Sequence, residues 1–135
     1  MTLYRVTRNG NRAYGRAGYG DFYKKGDVID VERRRPALGF GTGGVSGTAL
    51  LPVGVLATWK VRRAVKLPLM GIGGVSSAND ALQYLLAGAT LVGMGTAMLR
   101  DPRAPERVVR DLAEWCDRRG VRSITEIVGT LEGLG

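Results

Sequence analysis

Residues 66–96, KLPLMGIGGVSSANDALQYLLAGATLVGMGT, constrain the fold more than any other stretch of the chain. They read as strand, glycine turn, helix, glycine, strand and a glycine–threonine turn. Leu67 to Ile72 is a short apolar run, and the Gly73-Gly74 that follows suits a turn, because glycine loses the most backbone entropy inside a regular element. Ser77 with Asp80 three residues on predicts a capping box. Ala81, Leu82, Leu85 and Leu86 recur at helical spacing, and Gly88 supplies a C-terminal stop. Thr90 to Met94 is the next strand, ending in Gly95-Thr96. Two strands joined by a helix within one sheet run parallel, so both glycine turns emerge at the same edge, where ligand sites of α/β folds form.

That placement has a chemical consequence. Glycines and one threonine hydroxyl gathered at a rim leave backbone N–H groups uncovered by side chains, and such donors suit a compact, acceptor-rich anion such as a phosphate. A single Gly-Gly pair also serves as a plain tight turn. Its pairing with Gly95, 22 residues on and one βα unit away, gives the phosphate reading equal weight with the plain turn.

The flanking sequence extends the same pattern. Val28, Ile29 and Val31 predict a strand, left through the polar Glu32-Arg33-Arg34-Arg35-Pro36, and Ala37–Phe40 leads into the glycine-rich stretch 41–47. A helix is predicted over 52–65, with Pro52 in its first turn and basic residues toward its end. Trp59 on it reads as a packing or partner-contact residue. Beyond Thr96, Asp101 is expected to cap a helix with Pro102 at N1 and a buried stripe through Val108, Leu112 and Trp115, stopped by Gly120. Ser123 and Glu126 predict a second capping box that opens a short tail helix.

At 135 residues the chain suffices for one ordinary domain. No run of 18 apolar residues and no signal-peptide layout is visible, so neither a membrane span nor secretion is expected, and a cytoplasmic location follows as the expectation. Histidine is absent, which removes the usual neutral-pH base and the commonest metal ligand, and no metal site is expected. The lone Cys116 sits in a helical stripe and reads as a small buried hydrophobe. Of the net charge of +8, residues 1–35 hold nine basic and four acidic groups, or +5. That basic, tyrosine-containing segment, with glycines throughout 1–27, reads as poorly ordered apart from a strand at Leu3–Val6 and a turn at Asn9-Gly10. It carries no recognition-helix, zinc-finger or RNP pattern, so a basic nucleic-acid-binding domain is the weakest of the readings.

IDVERRRPALG (29–39), TGGVSG (42–47), LPLMGIGGVSSANDALQYLLAGAT (67–90), VGMGTA (92–97) and DPRAP (101–105) together resemble the C-terminal half of a dihydroorotate dehydrogenase of the cytosolic class, particularly the heteromeric, NAD-linked type. The resemblance covers about residues 28–130. It implies an α/β chain that forms a partial TIM barrel, about the last three or four βα units of a (β/α)8 barrel, with 67–72 as strand 7, 90–94 as strand 8 and the 42–47 turn following strand 6. It implies FMN as cofactor, its phosphate and ribityl end held by Gly47, Gly73, Gly74, Gly95 and Thr96, and oxidation of dihydroorotate to orotate in pyrimidine biosynthesis. The implied partners are dihydroorotate or orotate once the barrel is complete, the missing barrel half or a second copy of the chain, and an iron–sulfur/FAD electron-transfer subunit. The family's catalytic cysteine and flavin-contacting lysine have no counterpart in this stretch, and its substrate-holding asparagine–threonine pair aligns near Phe22-Tyr23. No residue is assigned as catalytic. An inactive fragment, or a flavin- or phosphate-binding module without turnover, stays open as the alternative.

Overall fold

The computed structural model describes residues 25–133, so the expected strand at 3–6, the turn at 9–10 and all but the last three residues of the poorly ordered segment expected over 1–27 lie outside the described residues. The chain divides into two compact units that meet between Ser46 and Gly47.

The first unit contains two antiparallel ribbons of two-residue strands. β1 (Lys25–Gly26) pairs with β4 (Gly43–Gly44), and β2 (Ile29–Asp30) pairs with β3 (Arg35–Pro36). The sequence predicts one strand over 28–31 with the following residues leaving it; instead Arg35 and Pro36 fold back against it. The reversal has a local cause. Asp30 Oδ1 accepts the Arg33 N–H at 3.0 Å, and Arg34 takes φ 52°, uncommon for a residue with a side chain. Ala37 N–H to Val28 O, at 2.7 Å, closes the ribbon. The 27–46 stretch has no buried residue, and Phe40 is fully exposed.

The second unit carries the whole described core. A 3₁₀ turn (Thr48–Leu50) runs into α1 (Leu51–Ala64), followed by β5 (Met70–Ile72), α2 (Ala78–Leu86), β6 (Leu91–Gly93), α3 (Thr96–Arg100) and α4 (Ala104–Arg119), with a final 3₁₀ turn at Ile124–Ile127. β5 and β6 are parallel, in the register Met70–Leu91, Gly71–Val92 and Ile72–Gly93, with α2 as the crossover. Both strands are shorter than expected. Pro68 has no N–H to give a ladder, which delays β5 until residue 70.

α2 starts as its sequence requires. Ser77 Oγ accepts the Asp80 N–H at 3.2 Å, and Asp80 Oδ2 accepts the Ser77 N–H at 2.9 Å, the complete capping box. At its other end Gly88 adopts φ 109° and donates to Leu85 O at 2.9 Å. A Cβ there would also strike the aliphatic stem of Arg62, so the position excludes side chains twice over. Leu82 and Leu85 are buried against Ile127, and each such side chain contributes about 1.5–3 kcal/mol.

Two helix starts differ from expectation. α4 begins at Ala104 rather than beside Asp101, and Pro105, not Pro102, occupies its first turn. Asp101 instead builds the preceding turn: its Oδ1 accepts the Arg103 N–H at 2.9 Å and its carbonyl accepts the Ala104 N–H at 3.0 Å. Ser123 caps through the Thr125 N–H at 3.4 Å without a reciprocal Glu126 bond, and a 3₁₀ turn replaces the tail helix. Cys116 is half-buried on α4 rather than buried. Trp59 is half-buried with the Arg63 guanidinium 4.8 Å from its ring centroid.

A closed barrel needs eight strands, and the parallel sheet among the described residues has two. The chain is a partial α/β barrel with an open sheet.

Candidate functional site

Parallel strands put their following turns at one edge, and in the second unit three of the five expected residues, Gly47, Gly74 and Thr96, come together. Gly47, before α1, has φ 114°; Gly73 and Gly74, after β5, have φ 123° and 75°; Thr96 opens α3 after β6. Gly47, Gly74 and Thr96 line one cleft of about 710 Å³. The first two turns approach so closely that a Cβ on Gly74 would sit 2.6 Å from Leu51 N and 3.0 Å from Gly47 O. Glycine at 74 is therefore demanded both by φ and by the neighbouring backbone.

Gly73 and Gly95 are not part of that lining. Gly73 lies behind it, with its carbonyl oxygen accepting the Tyr84 hydroxyl at 2.8 Å. Gly95 precedes α3 at φ −122°, and its carbonyl accepts the Met98 N–H at 2.9 Å.

Sequence reasoning missed the side chains that give the cleft its charge. Arg100, Asp101 and Arg107 line it, leaving one net positive charge among the lining residues. Arg107 pairs with Asp101, and that hydrogen bond, with the one from the Arg103 backbone, holds the Asp101 carboxyl below its ordinary 3.8. Arg100 follows Thr96 by four residues, the spacing that places two side chains on one helical face. That interval was the available signal.

Ser76 also lines the cleft. Its hydroxyl and its N–H both donate to Asp80 Oδ2 at 2.9 Å. Burial alone would raise the Asp80 carboxyl, but these bonds and those from Ser77 outweigh it and hold the group below 3.8. The Ser76 hydroxyl proton is thus committed, and the charge the cleft offers comes from arginine. Positive-φ glycines, a threonine hydroxyl and two guanidinium groups around one opening suit a phosphate ester or another compact anion. Among the described residues no group of three or more His, Cys, Asp or Glu could hold a metal, and no helix is long and apolar enough to cross a membrane.

A βα framework with a cleft at the C-terminal ends of its parallel strands defines a fragment of an α/β barrel. Comparison with known proteins narrows the class. The family model of dihydroorotate dehydrogenase matches residues 22–115, and the chain belongs to that family. It is 48% identical over 108 residues to the catalytic subunit of dihydroorotate dehydrogenase B (NAD(+)) of Trichlorobacter lovleyi, covering 80% of this chain and 36% of that one. The corresponding subunit of Desulforudis audaxviator is 51% identical over 108 residues, with 80% and 35% covered. The chain therefore spans about a third of the length of these curated relatives. Among solved structures, the crystal structure of DHODH in complex with ferulenol from Eimeria tenella superposes with a TM-score of 0.63, at 24% identity, over 78% of this chain and 29% of that one. This last likeness speaks for the fold.

Proposed function

We propose that the chain is the FMN-phosphate-binding portion of a dihydroorotate dehydrogenase, competent to oxidise dihydroorotate to orotate only when the rest of the barrel is supplied. The observation that carries the reading is the convergence of Gly47, Gly74 and Thr96 on one cleft with Arg100 and Arg107. These residues fit the anionic end of FMN: glycine at 74 lets the two turns approach closely around the opening, and the arginines supply opposite charge. Gly73 and Gly95 would shape the two turns rather than line the cleft. When bound, the flavin supplies the acceptor for the hydride removed from the substrate. This chain's own part is to grip the phosphate and so fix where the cofactor lies.

Proton abstraction falls to residues elsewhere. Cys116 is on α4 and absent from the cleft lining, and the sequence has no histidine. The relatives are named as catalytic subunits, and an iron–sulfur/FAD electron-transfer subunit is the proposed acceptor-side partner of the completed barrel.

The test titrates the full chain with FMN and with riboflavin, which lacks the phosphate, following flavin fluorescence. FMN is expected to bind at least tenfold more tightly, a difference of about 1.4 kcal/mol, with the preference reduced by Arg100→Ala. Equal affinity for the two flavins overturns the reading. Turnover of dihydroorotate should appear only after addition of a chain carrying the remaining strands; binding without such rescue would leave the phosphate-binding module as the function.

A further inference from the structure

We infer that the Tyr84 hydroxyl is a positioning group for the anion cleft, setting the peptide between Gly73 and Gly74 so that the Gly74 N–H is turned away from the core. The inference rests on the phosphate reading of the cleft. Tyr84 is the largest fully buried side chain of the described residues, at 0% exposure. From α2 it reaches back eleven residues to donate to the Gly73 carbonyl at 2.8 Å. In a trans peptide the carbonyl of one residue and the N–H of the next point in opposite directions. Pinning Gly73 O toward the buried ring therefore directs the Gly74 N–H to the other side of the turn, and Gly74 lines the cleft.

The surroundings are cut to this ring. A Cβ on Gly54 of α1 would collide with the Tyr84 hydroxyl oxygen and lie 2.9 Å from Cζ. A Cβ on Gly71 of β5 would lie 2.7 Å from Cγ. The ring thus occupies space that glycines on a helix and on a strand both leave open, and its oxygen has little freedom to find another partner. Gly73 at φ 123° and Gly74 at φ 75° occupy backbone regions in which several peptide orientations are accessible to glycine. A flexible pair of this kind needs an external anchor to hold one orientation, and the Tyr84 hydroxyl, donating at 2.8 Å, supplies one.

Tyr84→Phe removes the oxygen and keeps the ring. In the full chain, the ratio of riboflavin to FMN dissociation constants should fall about fivefold or more, the scale of leaving a buried carbonyl unpartnered, and exchange of the Gly74 amide hydrogen should quicken. Leu86→Ala, on the same helix but in the other hydrophobic cluster, serves as the stability control and should leave the ratio unchanged. An unchanged ratio in Tyr84→Phe, with a lowered melting temperature, reduces the hydroxyl to a packing role and overturns the inference while the phosphate reading stands. A wild-type chain with no preference for FMN overturns both. Gly54→Ala gives a second route to the same displacement: its Cβ would collide with the hydroxyl oxygen, so it should lower the ratio in the wild-type background.

Discussion

On the helix side of the β5–β6 pair, Gly71 is buried beneath the Tyr84 ring, while on the opposite side Met70, Ile72 and Leu91 stand 61%, 62% and 60% exposed. Both faces are apolar, and the pleat alone sends neighbouring residues to opposite sides. The covered face is organised by one aromatic residue set into two glycine gaps. The other is the kind of surface that the inside of a closed barrel hides, here without its covering strands, and Ile72 leans across Gly93 close enough that a Cβ there would lie 3.0 Å from Ile72 Cδ1. The difference is between two degrees of completion: among the described residues the helix-side core and the rim cleft are built, and the opposite face of the strands is open.

The largest expected effect tests the covered face. Tyr84→Ala should cost about 3–5 kcal/mol, the range for emptying a fully buried aromatic site, read from urea unfolding of the full chain. The neighbouring glycines cannot close the void, since neither Gly54 nor Gly71 has a side chain to lean into it. A loss below about 1 kcal/mol would mean that the two faces are equally soft, and the contrast between them would fail.

The same ring supplies a pH signature. Desolvation raises the Tyr84 hydroxyl from 10.0 to about 12. Between those values the unfolded chain loses the proton while the folded chain keeps it, so the native state binds more protons and stability falls as pH rises. The contribution is intact below about 10 and is lost as pH climbs through about 12. Stability curves of wild type and Tyr84→Phe from pH 8 to 11 should converge as pH rises, because the variant lacks this decline. Parallel curves would mean that the ring is wetter than its 0% exposure implies.

What could be read in the sequence was what is decided locally. The Ser77–Asp80 box and the Gly88 and Gly120 stops follow from residues within a few positions of one another, and each is found in place. The missing pieces depend on distant or short-range exceptions. α3 has five residues and an 86% exposed Leu99, so it shows no buried stripe to betray it. Arg107 lines the cleft from a helix whose start the Asp101 turn delays until Ala104, which no periodicity reveals. Tyr84 falls on the α2 stripe one position from Leu85, yet its role comes from Gly54 and Gly71, thirty and thirteen residues earlier in the sequence. The 29–36 ribbon turns on Arg34 at φ 52°, a conformation that composition argues against.

The smallest expected effect is the one that bears most directly on the open face. Replacing Met70, Ile72 and Leu91 by threonine puts a β-branched residue suited to a strand at each position and removes apolar surface that is already mostly in water. The stability of the chain alone should change by no more than about 0.5 kcal/mol per site. Association tells the opposite story if that face meets the remaining strands of a barrel. Burying each of the three side chains would contribute about 1.5–3 kcal/mol, so the triple variant should bind a separately expressed chain carrying the other strands, for instance from the Trichlorobacter lovleyi relative, at least a hundredfold more weakly, about 2.8 kcal/mol. Calorimetry on the pair, with sedimentation of the chain alone to follow self-association, measures both sides of the contrast. If the triple substitution destabilises the chain alone as severely as Tyr84→Ala, the face is already covered in solution by a second copy, and the concentration dependence of the unfolding midpoint will show it. If it changes neither stability nor association, the exposed strands are not a docking face, and the site at the rim must work without a barrel closing over them.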